Sequence, residues 1–255
     1  WGSVGREDRL ERTNFFAGCA ISPFKKFEGE LMTQYFKLAM KVRSGARFAV
    51  TQIGYDSRKL SELHTYVNSN NINVPLLGSV FILSAPAARF FNQWGVPGVW
   101  VSDELKAIAN KQAKSKDRGR LFFSELAAKQ IAILKGIGYS GVYISGRPQL
   151  ARIQRIMEIV DSFGENDWKS FTSEINFSQQ DEFYYYERGE NAGLSSDVLN
   201  TSYVSSKTKA ARAKSRLSVP IKYRFGKFVH DRVFDKHSLG FKIGRAVYGK
   251  IDKNK

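Results

Sequence analysis

The sequence is poor in the groups that fix many small folds and metal sites. Its 255 residues hold one cysteine, Cys19, which excludes a disulfide within the chain. With no leader-like pattern after Trp1, that scarcity predicts a reducing, cytoplasmic setting. The three histidines, His64, His230 and His237, offer no zinc spacing, so no metal site is expected. The longest apolar runs fall well short of the ~20 residues that cross a bilayer, which excludes a membrane span. No Walker A sequence and no nucleophile elbow occurs, so neither a P-loop nucleotidase nor an α/β-hydrolase is indicated.

Acidic residues are scarce in one place. Residues 206–255 carry fifteen Lys or Arg against three Asp or Glu, a net of +12. The formal charge of the whole chain is +16, which leaves only +4 for the rest. The nucleic-acid inference that a high pI invites is therefore confined to the tail, and a charge run is more often a solvated face.

What is present is an alternation. "NFFAGCAI" (14–21) reads as a strand. In "EGELMTQYFKLAMKVRSG", Leu31, Tyr35, Leu38 and Val42 fall at helical spacing and Ser44-Gly45 ends the run. A second strand is expected at 47–53. A helix follows with Ser57 as its N-cap and Leu60, Leu63 and Val67 on one face. A third strand lies near 74–82. Helices capped by Ser84 and by Ser102 come next, and then a long one ending at Gly136. "SGVYISG" is the fourth strand, and Pro148 opens a last helix. Strand–helix units in series predict parallel strands with helical crossovers. Four units in about 150 residues make half of an eight-stranded barrel, which typically takes ~250. The expected fold is therefore α/β, a partial (β/α)8 TIM barrel of four strand–helix units, spanning 1–163. Residues 164–205 read as a polar and aromatic arm, with Tyr184 to Tyr186 as a short strand or an extended stretch packing on the body. Residues 206–255 read as an irregular basic extension.

One motif is deceptive. "GIGYSG" (136–141) fits G-x-G-x-x-G, but the order is helix, glycines, strand. A dinucleotide site needs strand, glycines, helix, so that the pyrophosphate meets a helix N-terminus. Gly136 is more simply a helix C-cap.

In such folds, sites lie at the C-terminal ends of the strands. Four polar groups fall there: Ser22-Pro23, Thr51-Gln52, Phe81 to Ser84 and Ser145-Gly146-Arg147. Gln52 can donate and accept at once, which suits a planar heterocycle. Arg147 can hold a carboxylate bidentately. The plainer alternatives are a glutamine that caps its own loop and an arginine on a solvated rim.

"KVRSGARFAVTQIGYD" resembles the central motif of methylenetetrahydrofolate reductases, K-V-x-A-G-A-x-F-x-x-T-Q-x-x-x-D. "VPLLGSVFILS" with "VPGVWVSDEL" is similar to that family's next unit, "FFAGCAISPF" to the preceding strand and "GYSGVYISGR" to the last. The resemblance runs in order from about Asn14 to Val160. It implies a flavin-containing barrel of one-carbon metabolism. Hydride would pass from NADH or NADPH to FAD and on to 5,10-methylenetetrahydrofolate, giving 5-methyltetrahydrofolate. By resemblance, Gln52 would bond the pterin, Arg147 would stand on the folate side and Phe91 would pack against the folate. Lys41 would contact FAD, provided its helix is displaced from the ideal barrel position. Ser22 stands where the family has a tyrosine near the flavin, and Gln34 and Met40 stand where it has an aspartate and an arginine. The family's catalytic glutamate belongs to the first half of the barrel, so no catalytic residue is expected in this chain. The chain is expected to bind FAD weakly or not at all, and not to turn over alone. Its parent would be a cytoplasmic enzyme and a homo-oligomer. Two other readings stay open: a non-catalytic module whose basic tail docks nucleic acid or another anion, and a flavin-free, folate-binding methyl-transfer partner.

Overall fold

A computed structural model describes residues 14–93, 96–146, 149–191 and 193–201. Arg147, Pro148 and the basic extension at 206–255 lie outside the described residues. The described residues up to Asn200 form one compact unit.

Four parallel strands, β1 (Gly18–Ile21), β2 (Phe48–Thr51), β3 (Leu76–Phe81) and β4 (Gly141–Ser145), stand side by side in chain order. The helices between them are α1 (Glu28–Arg43), α2 (Ser57–Ser69), α3 (Ala85–Gln93), α4 (Asp103–Gln112) and α5 (Arg120–Ile137). After β4 come α6 (Leu150–Asp161) and α7 (Asp167–Glu174), then a two-stranded antiparallel ribbon of β5 (Tyr186–Arg188) and β6 (Ser195–Leu199). The predicted alternation is therefore present, with the additional helix before β4.

Element ends follow local chemistry. β1 is shorter than the expected 14–21, because its pairing begins at Gly18 opposite Phe48, where β2 itself begins. Phe16 lies outside the ladder and stacks on Phe48 at 5.6 Å. α2 is capped by Asp56 rather than Ser57: Asp56 Oδ1 accepts from the Arg58 and Lys59 amides. α5 ends at Gly138, not Gly136. Gly138 takes φ +107°, a value that suits glycine, while Gly136 lies inside the helix under the Trp168 ring, where a Cβ would collide. Ser102 caps α4 as expected, accepting from the Leu105 amide at 3.1 Å.

The two faces of the sheet differ. Ile21, Ala49, Thr51, Leu76 and Val80 are buried against the helices. On the other face the register aligns Gly18 with Phe48, Ala20 with Val50, Leu77 with Gly141 and Ser79 with Tyr143. That face is only half covered, and Tyr143 is 57% exposed. Parallel sheets are normally covered on both faces. Among the described residues, one face of this sheet is thus only half covered, and its edge strands β1 and β4 are unpaired on their outer sides.

The main cluster of the core lies between the helices, where Leu83, Val101, Leu105, Phe123 and Ile133 pack together. From Ile175 onward the chain turns back along α2. Ser57 donates to the Ile175 carbonyl at 2.7 Å, and Arg58 Nη2 donates to the Tyr186 carbonyl at 2.9 Å. Tyr184 and Tyr186 are buried there.

Candidate functional site

The C-terminal ends of β1 and β2 open into short polar loops. Thr51 still belongs to the sheet. Its Oγ1 accepts from the Ser79 amide at 2.9 Å, and its carbonyl accepts from the Ser79 hydroxyl at 2.5 Å. A buried threonine here ties β2 to β3, so its polarity is structural. Gln52 is different. It is half-buried, and its backbone amide donates to the Ile21 carbonyl at 2.7 Å, which holds it over the end of β1. Its side-chain Oε1 accepts from the Ile53 amide at 3.0 Å and its Nε2 donates to the Pro97 carbonyl at 3.2 Å. A primary amide has two N–H donors and two lone pairs. One of each is used, which leaves one donor and one acceptor on the same planar group.

The loop that meets Gln52 also meets Ser22, whose hydroxyl donates to the Gly98 carbonyl at 3.3 Å. Val96 to Val99 form a tight turn, closed by the Val99 amide on the Val96 carbonyl at 2.9 Å. Proline followed by glycine at φ +81° is the type II pattern. This turn crosses the ends of both strands. The sequence carried its signal in Val96-Pro97-Gly98, but nothing in the spacing revealed that it would reach Gln52.

Phe91 is 9% exposed on α3, and its ring meets the Phe81 ring edge-on at 5.1 Å. Phe81 pairs in register with Ser145 on the half-covered face. The Ser145 Oγ is buried and has no hydrogen-bond partner. Phe91 therefore stands between the helical core and the strand ends, with its body in the core. Its neighbour Phe90 is 51% exposed.

Lys41 lies elsewhere. Its Nζ donates to the Ala20 carbonyl at 2.8 Å. The carbonyls of Ala17 and Ile21 face β2, so by alternation the Ala20 carbonyl faces the free edge of β1. The end of α1 thus reaches the open edge of the sheet, and a lysine covers one unpaired acceptor there. The same ammonium partly offsets the effect of burial on Cys19, whose thiol is pushed up by desolvation. Gln34 is half-buried on α1. The structure brings Gln52, Ser22 and Phe91 to one end of the sheet, holds Lys41 at its edge, and leaves Arg147 outside the described residues. Among the described residues, no group of three His, Cys, Asp or Glu side chains could hold a metal, and no helix is long and apolar enough to cross a membrane.

The methylenetetrahydrofolate reductase family model matches residues 14–142, just over half of the chain. The chain belongs to that family. The match begins before β1 and ends within β4, so it covers β1 to β3, the start of β4 and the strand ends that carry Ser22 and Gln52. No curated protein matches the chain. Family membership brings an oxidoreductase character and a folate-related substrate, and the family is in general flavin-dependent. The candidate flavin residues do not make a cradle here. Ser22 is turned onto the Gly98 carbonyl and Lys41 onto the Ala20 carbonyl.

Proposed function

We propose that this chain is the folate-side half of a methylenetetrahydrofolate reductase barrel. The complete protein would reduce 5,10-methylenetetrahydrofolate to 5-methyltetrahydrofolate at the expense of NADH or NADPH. The observation that carries this reading is the Gln52 amide at the end of β2, with one donor and one acceptor still free. A pterin edge presents a donor and an acceptor side by side, and one planar amide can meet both. The half-covered sheet face and its unpaired edges support the second part of the proposal: four further strands would close the barrel and bring the groups that hold FAD and the catalytic acid. Phe91 would then set the position of the aromatic wall through Phe81.

The test is a titration of the chain with 5-methyltetrahydrofolate, followed by intrinsic fluorescence. Gln52→Ala removes both free groups and is expected to weaken binding about tenfold or more, since losing a pair of hydrogen bonds in a partly buried site costs about 1–3 kcal/mol. The chain alone is expected to show no NAD(P)H-dependent reduction. Equal affinity of wild type and Gln52→Ala would return this amide to the role of a loop cap.

A further inference from the structure

A cleft of about 550 Å³ lies between the first turns of α5 and α6 and is lined by Arg120, Ser124, Gln149, Arg152 and Arg155, among others. α6 leaves the C-terminal end of β4, and α5 runs antiparallel to β4 before it. Both helices therefore begin at the end of the sheet where Gln52 stands. The charges are unbalanced. Arg155 pairs with Glu158 at 3.0 Å, and both side chains are more than half exposed. Among the described residues, neither Arg120 nor Arg152 has a carboxylate within ion-pair distance. Arg152 is half-buried and its Nε donates to the Ser124 hydroxyl at 3.4 Å. Burial, and then the neighbouring Arg120 guanidinium, lower its proton affinity. Two like charges held together across a cleft destabilise each other unless an anion lies between them. α6 adds to this, because Gln149 makes no side-chain cap and, among the described residues, the Leu150 and Ala151 amides have no acceptor, whereas the Arg152 amide is taken by the Gln149 carbonyl.

We propose that this cleft is a second binding site, for a small anion bearing two or more phosphate or carboxylate groups. Guanidinium forks on two helices suit such a ligand, because each can take one anionic group bidentately and the separation of the helices selects for more than one group. The Leu150 and Ala151 amides of α6 complete the donor set, while Ser124, whose proton goes to the Arg120 carbonyl at 2.8 Å, only holds Arg152 in place. Among the described residues no carboxylate lines the site, and it uses none of the residues assigned to folate, so it stands apart from the reading of Gln52.

Isothermal titration of the full chain with pyrophosphate, and separately with citrate, tests the proposal. The wild type is expected to bind at least one of them, with an affinity that falls as salt is added. Arg120→Gln/Arg155→Gln alters only exposed side chains and is expected to weaken binding at least tenfold while leaving the melting temperature unchanged. Adding Arg152→Gln is expected to abolish it. Tighter binding of pyrophosphate assigns the site to phosphates, and tighter binding of citrate assigns it to carboxylates. Gln52→Ala should leave both affinities unchanged, which separates this site from the folate reading. Equal binding by the wild type and the double variant overturns the proposal, because the anion would then be held by other cations of this basic chain. Absence of binding by the wild type at millimolar anion overturns it as well.

Discussion

Gln52 and Asp56 are four residues apart, on either side of one loop, yet their surroundings differ. Gln52 keeps one donor and one acceptor unused. From Asp56 onward nearly every polar atom is taken. Asp56 Oδ1 holds two helix amides, and Oδ2 accepts from the Tyr184 hydroxyl at 2.5 Å. Lys59 is fully buried; its ammonium donates to the Phe183 carbonyl and to the Lys25 carbonyl at 3.3 Å, and lies 3.7 Å from Glu182. Arg58 stacks over the Tyr184 ring at 3.8 Å. A network in which, among the described residues, the buried Arg58 Nε is left over holds structure together, whereas a partly used amide at a strand end can still bind something. The comparison separates a strap from a site, although both are built from polar residues near one helix start.

The largest effect is expected on the strap side. Glu62 Oε1 accepts from the Tyr35 hydroxyl at 3.1 Å, and Oε2 accepts from the Tyr185 and Tyr186 amides at 2.5 and 3.1 Å. Glu62→Ala strands those three donors and leaves Lys59 with less compensation. Breaking a buried charged network in this way costs about 3–5 kcal/mol. Urea unfolding should show that loss, and tryptic cleavage within 175–200 should become faster as the arm detaches from α2. A loss below about 1 kcal/mol would mean that the arm is held by its tyrosines alone.

Next in size is a pH effect. Burial pushes Glu182 up to about 7; Lys59 opposes this, while Asp56 and Glu62 add to it. A carboxyl whose folded value is raised contributes stability that is complete below its unfolded value, ~4.5, and is lost as pH rises through the folded value. The fold should therefore weaken by about 3 kcal/mol between pH ~4.5 and ~7, at 1.36 kcal/mol for each pH unit of difference. Burial raises Asp56 and Glu62 in the same direction. Glu182→Gln is expected to flatten that window and to raise the melting temperature at pH 8. A profile unchanged by the substitution would place the proton elsewhere in the network.

The same contrast shows what could be read in the sequence. The strands and the helices α1, α2 and α5 were legible because their apolar periods are strong. Leu60, Leu63 and Val67 marked the buried face of α2, and Ser102 marked the start of α4. The arm's grip on α2 was not legible. Arg58, Lys59 and Glu62 have the spacing of a solvated face, and each has a partner more than 120 residues away. The choice of Asp56 over Ser57 as the cap depends in part on Tyr184, which closes the carboxylate from behind. Gln52 could be located at a strand end from its neighbours alone. Which of its four hydrogen-bonding positions are used depended on Pro97, and that contact is tertiary.

The smallest expected effect falls on the site side, at Gly98. This residue holds φ +81°, and a Cβ there would lie 2.8 Å from the Ser22 hydroxyl and 3.4 Å from Gln52 Cγ. Gly98→Ala forces the turn to strain or to lift, at a cost of about 1 kcal/mol. Lifting releases the Pro97 carbonyl from Gln52 and the Gly98 carbonyl from Ser22, which frees a second donor on the amide. Global stability should fall by no more than that amount, because the strap at α2 is untouched. Affinity for 5-methyltetrahydrofolate should rise if the turn competes with the ligand for Gln52, and fall if the turn holds the amide in its binding orientation. Either change ties the turn to the site. An affinity identical to wild type, with the same small loss of stability, would show that Pro97 and Gly98 only close the end of the sheet.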